Sequence, residues 1–345
     1  MTVLVTGAAG FLGRHLVHGL LRREYAVRTL SRSDRGGLPP HVEHFQGDIK
    51  DVTLLDAAMR GVETVYHAAA IVPGAGSDTQ MWDTNVDGTR SVAQACIRAG
   101  VRRLVLVSSI AVYKVPLPDV VSESAPIGGA TTYGRSKATA ETIATDICRG
   151  QMELVIARPC QIFGTMDRTG FSKKLLRVIK SPFIPVAGLR GCSFSLVHVS
   201  DVVDGLCSAG ERKDIDGTVV NLASKTRTSS LELASIYSRL VGKKARGTKL
   251  PIPESLLRAA MSLRWAAKNF KQARRGPLFG AYGARSTHGS ILLGGPLYDV
   301  QKAATRLDFS PKITFEHGLL ELINEEAVEP TMSRGASDRV AITRP

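Results

Sequence analysis

A buried strand that runs directly into a glycine-rich turn is the feature that most constrains the fold of this chain. Residues 3–13 read VLVTGAAGFLG, and an amphipathic helical pattern begins at Phe11. Gly7 allows a sharp turn, Gly10 lets backbone amides approach a pyrophosphate, and Gly13 lets the helix pack closely on the strand. Because a helix presents unpaired N–H groups at its amino end, the pattern predicts a dinucleotide phosphate site there.

The first half of the chain alternates short β-branched runs with helical patterns, which is typical of parallel strands joined by crossover helices. We therefore predict an α/β fold, a Rossmann doubly wound parallel sheet with a smaller C-terminal substrate domain. The predicted strands are 3–6, 26–30, 42–46, 64–67, 104–108 and 154–157, and the predicted helices are 11–23, 52–59, 83–99 and 133–148.

The alternation weakens after about residue 165, where loops rich in Gly and Pro appear and helical patterns occupy 230–241 and 254–275. We expect residues 1–164 to form the nucleotide-binding domain, with a return segment at about 195–225. The substrate domain is then expected at 165–194 and 226–329, and the polar, aperiodic residues 330–345 are expected to form a flexible tail.

The net charge of +14 lies almost entirely in the second part of the chain. Residues 1–150 hold 16 Lys and Arg against 14 Asp and Glu, whereas residues 151–345 hold 29 against 17. Such a surface suits an anionic ligand, an acidic membrane face or plain solvent. Nucleic acid is not an expected partner, because aromatic residues make up only 6% of the chain and it carries no nucleic-acid-binding signature.

Composition also excludes several classes of protein. The five cysteines are widely spaced and form no C-x-x-C pair, so neither a disulfide framework nor a metal site is expected. The first residues lack the basic region of a secretory signal, and no stretch approaches the roughly 20 apolar residues of a membrane span. We therefore expect a cytoplasmic protein.

The end of the second predicted strand should decide the choice of cofactor, because the adenosine ribose lies at that point. Arg32, with Ser31 and Arg35 nearby, could hold a 2′-phosphate through charge-assisted hydrogen bonds, which favours NADP. Alternatively, Arg32 is solvated and Asp34 accepts from a free 2′-hydroxyl, which would make NAD the cofactor.

A carboxylate follows the third predicted strand in the sequence GDIKD at residues 47–51. Asp48 could accept a hydrogen bond from the adenine amino group. It could equally be the N-cap of the helix that follows.

Tyr133 and Lys137 stand four residues apart in YGRSK, so they share one face of the predicted helix. A nearby ammonium lowers the pKa of a phenol, and such a Tyr can exchange a proton with an alcohol oxygen while hydride moves to or from the carbon. The alternative is an ordinary exposed pair.

Two further polar groups strengthen the catalytic interpretation. Ser108 and Ser109 follow an apolar strand, at the edge where the carboxyl ends of a parallel sheet form the ligand crevice, and a Ser hydroxyl there can donate to a substrate carbonyl. Asn85 could complete a polar relay with these groups, or it could be structural.

At this point the order of motifs resembles the extended short-chain dehydrogenase/reductases, also described as the NAD-dependent epimerase/dehydratase superfamily. The resemblance covers about residues 1–325. Its motifs are TGAAGFLG (6–13), GDIKD (47–51), YHAAA (66–70), NVDGT (85–89), VSSIAVY (107–113), YGRSK (133–137), ARPCQIFG (157–164), HVSDVV (198–203) and VVNLAS (219–224).

The resemblance implies catalytic Ser109, Tyr133 and Lys137, with Lys137 also bonding the nicotinamide ribose. The position of Arg32 is similar to that of the phosphate-binding Arg in NADPH-dependent dihydroflavonol-reductase-like members. The family often forms dimers through a helix bundle, so a homodimer is expected. The implied dinucleotide contacts are Gly7, Gly10, Phe11, Leu12, Gly13, Asp48 and Ile49, together with Ala68, Ala69, Ala70 and Pro159.

Departures from the family's other branches narrow the expected reaction. Sugar dehydratases of the family place an acidic pair where this chain has Ile110 and Ala111, which disfavours elimination of water. Nucleotide-sugar epimerases commonly place an Arg-Asp pair shortly before the H-V motif, whereas residues 194–197 are FSLV. This stretch resembles the 3β-hydroxysteroid dehydrogenase and dihydroflavonol reductase branches and suggests an uncharged pocket; His198 is expected to be structural.

The segment 254–275 has apolar residues at helical spacing, with basic residues and Trp265 opposite them. Between residues 239 and 285 there are twelve basic residues and one acidic residue, Glu254. Such a helix could rest on anionic lipid, pack on the substrate domain with its charges solvated, or bind substrate phosphates.

We predict an NADP-dependent oxidoreductase that interconverts a ketone and a secondary alcohol on a small hydrophobic substrate, such as a steroid-, polyketide- or flavonoid-like ring. The first alternative is a nucleotide-sugar epimerase that holds its NAD(P) tightly. The second is a non-catalytic protein that senses NADPH, which the intact Ser, Tyr and Lys set argues against.

Overall fold

Seven parallel strands form the central sheet in the computed structural model. The structure describes residues 1–35, 37–167, 171–180, 186–187, 193–242, 251–252 and 295–335. Its strands are β1 (Thr2–Thr6), β2 (Ala26–Ser31), β3 (Glu43–Gln46), β4 (Thr64–His67), β5 (Arg103–Val107), β6 (Val120–Val121), β7 (Glu153–Pro159), β8 (Gln161–Phe163), β9 (Val186–Ala187), β10 (Ser193–Phe194), β11 (Leu196–His198), β12 (Thr218–Leu222), β13 (Thr228–Ser229), β14 (Pro251–Ile252) and β15 (Leu297–Tyr298).

The helices lie mainly between consecutive strands of the central sheet. A π-helix (Asp83–Asp87) and a 3₁₀ turn (Ile110–Val112) accompany the α-helices. The α-helices are α1 (Phe11–Leu21), α2 (Val52–Met59), α3 (Asp78–Trp82), α4 (Gly88–Arg98), α5 (Thr132–Cys148), α6 (Phe171–Lys180), α7 (Val199–Glu211), α8 (Ser230–Val241), α9 (Gln301–Leu307) and α10 (Phe315–Gly335).

The central sheet has the order β3-β2-β1-β4-β5-β7-β12, and each strand pairs with its neighbour in parallel. The chain winds outward from β1 toward β3, then returns and winds the other way from β4. The strand order therefore reverses between β1 and β4, and a crevice opens there beyond the carboxyl ends of the strands. This arrangement confirms the predicted Rossmann doubly wound fold.

Apolar cores lie on both faces of the sheet, as its almost continuous β-branched strands require. One core contains Leu16 of α1 and Leu206 of α7. The other contains Leu55 of α2 and Val92 of α4, with Ala144 of α5. Packing on both faces fixes the position of each strand in the sheet. The side chains that follow the strands are therefore held at the same edge.

A third, smaller core brings together helices from the second part of the chain. Leu175 of α6, Leu233 of α8 and Leu319 of α10 pack around Phe163. Residues 297–309 do not belong to this third core. Tyr298, Leu307 and Phe309 are instead buried in the main core, which is the one that contains Leu16 and Leu206. The chain therefore returns to the sheet within the range 226–329 that the sequence assigns to the substrate domain.

Two predicted element boundaries are wrong. A capping box between Ser77 and Gln80 starts α3 five residues before the predicted helix 83–99, and a π-helix separates α3 from α4. The last helix continues to Gly335, so residues 330–335 are helical rather than part of a loose tail. The predicted helix 254–275 lies outside the described residues.

Candidate active site

The glycine turn brings the end of β1 against the backbone that follows β4. Gly7 has φ +69°, and a Cβ atom built on it would lie 2.6 Å from the backbone N and Cα of Ala69. A Cβ on Gly13 would lie 2.2 Å from the carbonyl oxygen of Gly7. Neither position can accept a side chain without moving backbone, so both glycines are required by close packing.

The amino end of α1 is open toward the crevice. Gly10 is exposed and is the N-cap, no side chain caps the helix, and the first turn contains no acidic residue. Phe11 and Leu12 are half-buried beside it. The first N–H groups and the positive end of the helix dipole can therefore receive a pyrophosphate, so the residues present fit a dinucleotide.

Backbone from two other strands lies at the same edge. Ala68 N donates to Thr6 O at 3.2 Å, and Ala69 N donates to Thr6 Oγ1 at 3.4 Å. Ala70 continues this half-buried segment. Pro159 is buried at the end of β7, paired with Leu222. The carboxyl ends of β1, β4 and β7 thus place every backbone segment expected along the dinucleotide at one edge.

Among the residues considered for the 2′-phosphate, Arg32 has a side chain that is exposed and able to bind a ligand. Its side chain is exposed just beyond β2 and makes no hydrogen bond or ion pair with the described residues. Ser31 Oγ donates to Ser33 O at 2.9 Å, and the Arg35 guanidinium donates to the carbonyls of Pro40 and Val42 at 2.6 and 3.0 Å. Arg35 is therefore committed to its own loop rather than to a phosphate.

The carboxylate of Asp48 closes a local turn by accepting from Lys50 N at 2.9 Å. Asp51, not Asp48, is the N-cap of α2, because its side chain accepts from Leu54 N at 3.0 Å. The N-cap alternative for Asp48 is therefore wrong. Ile49 is buried, and a Cβ added at Gly88 would meet its Cδ1 at 2.4 Å, so its side chain packs beneath α4.

Ser109 and Tyr133 come together across the mouth of the crevice. Tyr133 lies in the first turn of α5, which Thr131 caps, and the Ser109 side chain lies close enough to its phenol to influence the pKa of that phenol. Ser109 Oγ also accepts from Ala111 N at 3.1 Å. Burial raises the pKa of Tyr133, and the neighbouring Ser109 side chain opposes that rise.

Lys137 lies one helical turn beyond Tyr133 and is almost completely buried. Its Nζ donates to Val107 O at 2.7 Å, which ties α5 to the end of β5. Burial lowers the pKa of Lys137 to about 8, while Glu141 opposes this effect. The pKa of Tyr133 is thus raised by burial rather than lowered as expected, and the Lys137 ammonium is held by the Val107 carbonyl.

The side-chain amide of Asn85 joins two segments of the chain. Its Oδ1 accepts from Ile71 N at 2.8 Å, and its Nδ2 donates to Ile71 O at 3.1 Å and to Ser136 Oγ at 3.0 Å. Ser136 Oγ in turn donates to Tyr133 O at 2.8 Å. Both amide N–H groups are used, so Asn85 joins the π-helix to the turn that carries Tyr133 without touching Ser109 or Lys137.

The structure adds a buried network that the sequence reasoning missed. Glu141 and Arg158 form an ion pair of 2.6 Å with side chains only 4% and 5% exposed. Arg158 Nη1 donates to Tyr113 Oη at 3.1 Å, and Tyr113 Oη donates to Asn221 Oδ1 at 2.6 Å. Two signals were available: Glu141 stands four residues after Lys137, and Arg158 interrupts an apolar strand.

The uncharged stretch before the H-V motif is explained by burial. Leu196 and Val197 lie in the apolar cores, and Ser195 Oγ donates to Pro296 O at 2.7 Å. The packing of these buried side chains accounts for the apolar pattern, which is therefore weaker evidence for an apolar substrate. His198 caps α7 and lies 3.2 Å from Glu321, in agreement with a structural role.

The described residues contain neither a metal-binding cluster nor a membrane-spanning helix. No group of three or more His, Cys, Asp or Glu side chains there could hold a metal ion. No helix in the part of the chain that the structure describes has both the length and the apolar character to cross a bilayer.

A doubly wound parallel sheet, a glycine turn that fits a dinucleotide, and Ser, Tyr and Lys at one sheet edge define an NAD(P)-dependent enzyme of the extended short-chain dehydrogenase/reductase class. The model of the NAD dependent epimerase/dehydratase family matches residues 3–223, and the chain belongs to this family.

Two bacterial relatives are similar to parts of the chain. Sterol demethylase protein B of Methylococcus capsulatus is 39% identical over 175 residues, which cover 48% of this chain and 53% of that protein. A 3 beta-hydroxysteroid dehydrogenase/Delta 5→4-isomerase of Mycobacterium tuberculosis is 33% identical over 237 residues, which cover 63% and 62%. The chain thus matches little more than half of the length of these two relatives.

A solved structure extends the likeness to nearly the whole chain. MoeE5 in complex with UDP-glucuronic acid and NAD has a TM-score of 0.73 and 25% identity, covering 95% of this chain and 100% of that one. The comparisons therefore establish the family, the fold and NAD(P) dependence. They do not identify the substrate or distinguish NADP from NAD.

Proposed function

We propose that the chain is an NADP-dependent oxidoreductase that interconverts a ketone and a secondary alcohol on a hydrophobic substrate. The observation that carries this proposal is the arrangement of Ser109, Tyr133 and Lys137 at the carboxyl edge of the sheet. The Ser109 side chain neighbours the Tyr133 phenol, and Lys137 is fixed to the end of β5 one turn away. Bound NADPH would supply the hydride.

The protein's own groups would manage the proton. Because burial raises the pKa of Tyr133, its phenol keeps its proton at neutral pH and is suited to donate it to a carbonyl oxygen. Ser109 would hold that oxygen by a second hydrogen bond, as an oxyanion stabiliser does. Lys137, whose pKa is about 8, retains much of its positive charge near neutral pH and stabilises the phenolate that remains.

NADP preference is supported by Arg32. A guanidinium that is exposed at the end of β2 and has no partner among the described residues can pair with a 2′-phosphate. Asp34 is also exposed nearby, and it would instead accept from the 2′-hydroxyl of NAD. Measured affinities for NADPH and NADH distinguish these two possibilities.

A hydrophobic substrate is supported by the two sterol-related relatives. A competing proposal is a nucleotide-sugar epimerase. It is favoured by the likeness to MoeE5, which was solved with UDP-glucuronic acid and NAD. An epimerase would return the hydride to its own substrate, so it would consume no cofactor.

The deciding experiment measures the loss of NADPH or NADH absorbance with a 3-ketosteroid, a flavanone and an aliphatic cyclic ketone, beside an isomer assay with UDP-glucose and UDP-glucuronic acid. Ketone-dependent oxidation with a preference for NADPH supports the proposal. Accumulation of a sugar epimer without net oxidation rejects it in favour of the epimerase. A protein that binds NADPH but turns over none of these compounds, and whose Tyr133→Phe variant keeps its physiological activity, would instead be an NADPH sensor.

A further inference from the structure

One buried carboxylate, that of Glu141, is bonded on both of its oxygens. Oε1 accepts from Ser108 Oγ at 2.5 Å and from Arg158 Nε at 2.9 Å, while Oε2 accepts from Arg158 Nη2 at 2.6 Å. The bidentate geometry is the strongest that an Arg and a carboxylate can form. Taking two charges out of water is costly, so this pair requires a reason beyond stability.

Each bond of Glu141 reaches an element that carries a candidate active-site group. Glu141 itself lies on α5, one turn beyond Lys137 and two beyond Tyr133. Ser108 directly precedes Ser109, and its N donates to Ala157 O at 2.7 Å. Arg158 directly precedes Pro159 at the end of β7. One carboxylate therefore sets the relative positions of α5, the end of β5 and the end of β7.

The network continues from Arg158 toward the second part of the chain. The Arg158 guanidinium lies 5.0 Å from the centre of the Tyr113 ring and also donates to its hydroxyl. Tyr113 bonds Asn221, and Asn221 Nδ2 donates to the carbonyls of Val121 and Asp299 at 3.3 and 3.2 Å. The pair is thus braced from both sides and cannot shift independently of the strands.

We propose that Glu141 and Arg158 are positioning residues for proton transfer: they fix the end of β5, which carries Ser109, relative to the turns of α5 that carry Tyr133 and Lys137, and they place a carboxylate one helical turn from the Lys137 ammonium. This inference rests on the proposed roles of Ser109, Tyr133 and Lys137. Neither Glu141 nor Arg158 needs to touch the substrate, because both act through their neighbours.

The charged and titratable groups around Lys137 support the electrostatic part of the proposal. On α5 these are Glu141, which raises the pKa of Lys137, and the neutral phenol of Tyr133. On β4, His67 is buried and neutral, because burial and the Lys137 charge lower its pKa to about 3. Arg158, on β7, faces Glu141 and partly offsets its charge. Glu141 is therefore the carboxylate among these groups that favours the charged form of Lys137, and we expect its removal to lower the pKa of Lys137 further.

The same two strands offer a matched control at their amino ends. Arg103 and Glu153 form a second Arg–Glu pair of 2.7 Å, where β5 and β7 begin. Glu141→Gln and Glu153→Gln thus make the same chemical change at opposite edges of the sheet. For Glu141→Gln we expect kcat to fall by about 10²-fold through misplacement of reacting groups, with KM values for ketone and NADPH changed by less than about threefold.

The pH profile adds a readout that a merely structural role would not move. In reduction, kcat should fall as pH rises through the pKa of Lys137, and Glu141→Gln should move this falling limb to lower pH. Glu153→Gln should leave both kcat and the limb in place. If Glu141→Gln and Glu153→Gln behave alike, the proposal is wrong.

A double variant allows the test to be made even if the single substitution unfolds the protein. Glu141→Leu with Arg158→Leu removes both charges, and replacing a whole buried pair by apolar residues often preserves folding. A folded double variant should show the same loss of kcat and the same shifted limb. Wild-type kcat and an unmoved limb in that variant would overturn the proposal.

A measurement without substrate separates this inference from the proposed function. NMR titration of protein labelled at the lysine side chains, with the Lys137 signal assigned from Lys137→Arg, should show a lower midpoint in Glu141→Gln than in the wild type. An unchanged midpoint refutes the electrostatic part of the proposal. A wild-type chain that oxidises no NADPH would refute the proposed function instead and leave the titration result valid.

Discussion

The two edges of the central sheet use the same pair of residue types in different ways. At the amino edge, Arg103 is completely buried, but the side chain of its partner Glu153 is 34% exposed. At the carboxyl edge, Arg158 and Glu141 are both almost inaccessible to water. The remaining donors also differ: Arg103 donates to Ala209 O and Gly210 O in the last turn of α7, whereas Arg158 donates to side-chain and loop groups beside the crevice.

The difference shows what each pair accomplishes. An arginine that bonds the free carbonyls at a helix end satisfies groups that would otherwise be orphaned, and water can still reach its carboxylate. A dry pair at the strand ends costs more to bury and is bonded to the residue next to Ser109. The pair at the amino edge therefore mainly stabilises the fold. The pair at the carboxyl edge is more costly to bury, and we infer that its role is to position the reacting groups.

The largest effect should come from removing one oxygen at the carboxyl edge. Tyr133→Phe should lower kcat for ketone reduction by about 10²- to 10⁴-fold, because general acid catalysis contributes that much. NADPH affinity, measured by fluorescence titration, should be nearly unchanged.

Tyr25 provides the control for this change. It precedes β2 at the amino edge, where its hydroxyl donates to Glu211 Oε1 at 3.2 Å. Tyr25→Phe should leave kcat at the wild-type value. Equal losses in the two variants would remove the functional distinction between the edges.

The two arginines should differ in their effect on folding. Arg158→Met removes the bidentate partner of the buried Glu141 carboxylate and should reduce the free energy of unfolding by about 3–5 kcal/mol. Arg103→Met leaves Glu153 in contact with water and with Arg102, which is 2.7 Å away, so only about 1–3 kcal/mol should be lost, mainly through the unpaired carbonyls. Urea denaturation measures both values, and a larger loss for Arg103→Met would reverse the comparison.

Lys137 should make stability depend on pH. Its folded pKa of about 8 lies below the usual 10.5, so between these values the unfolded chain holds a proton that the folded chain has released. Stability should therefore rise with pH through this window, by about 2–3 kcal/mol in total, whereas below pH 8 the full cost of the buried charge is present.

Lys137→Met removes this titration, so its unfolding free energy should not show the wild-type rise. The measurement is the difference between the two proteins in urea denaturation at pH 7.5, 9 and 10.5. A constant difference across this range would show that Lys137 is not held at a lowered pKa.

The smallest effect should concern the cofactor. Arg32→Ala should weaken NADPH binding by about tenfold and leave NADH binding unchanged, because a charge-assisted bond to the 2′-phosphate is worth at least about 1.5 kcal/mol. Arg28, on the same strand but bonded to Glu43 at 2.7 Å, is the matched control. If Arg28→Ala has the same effect, or if Arg32→Ala weakens NADH as much as NADPH, the Arg32 assignment fails.

Local patterns made most of the fold predictable. The predicted helix 52–59 has the bounds observed for α2, and the strand 64–67 has those observed for β4, because the β-branched runs and the turn residues around them are local signals. The capping residue was less accessible: Asp48 and Asp51 both precede α2, and only the bond from Leu54 N distinguishes them.

The parts of the site that depend on distant contacts were not predictable. The motifs placed Ser109, Tyr133 and Lys137 at one edge of the sheet. In contrast, the hydrogen bonds of the Arg35 guanidinium depend on the position of the carbonyls of residues 40 and 42, which the sequence does not reveal. Asn85 looks like a free amide in the sequence, and its use as a clamp depends on the loop at Ile71. The raised pKa of Tyr133 likewise follows from burial, which helical spacing does not reveal.

The return of residues 297–309 to the main core has a consequence for how the protein is made. Tyr298, Leu307 and Phe309 belong to the same apolar core as residues of β1 and α1, which stand much earlier in the chain. The chain must therefore be synthesised to about residue 309 before this core is complete. A nascent chain arrested near residue 240 should still expose this apolar surface, and it should be a better substrate for chaperones than a chain arrested after residue 320.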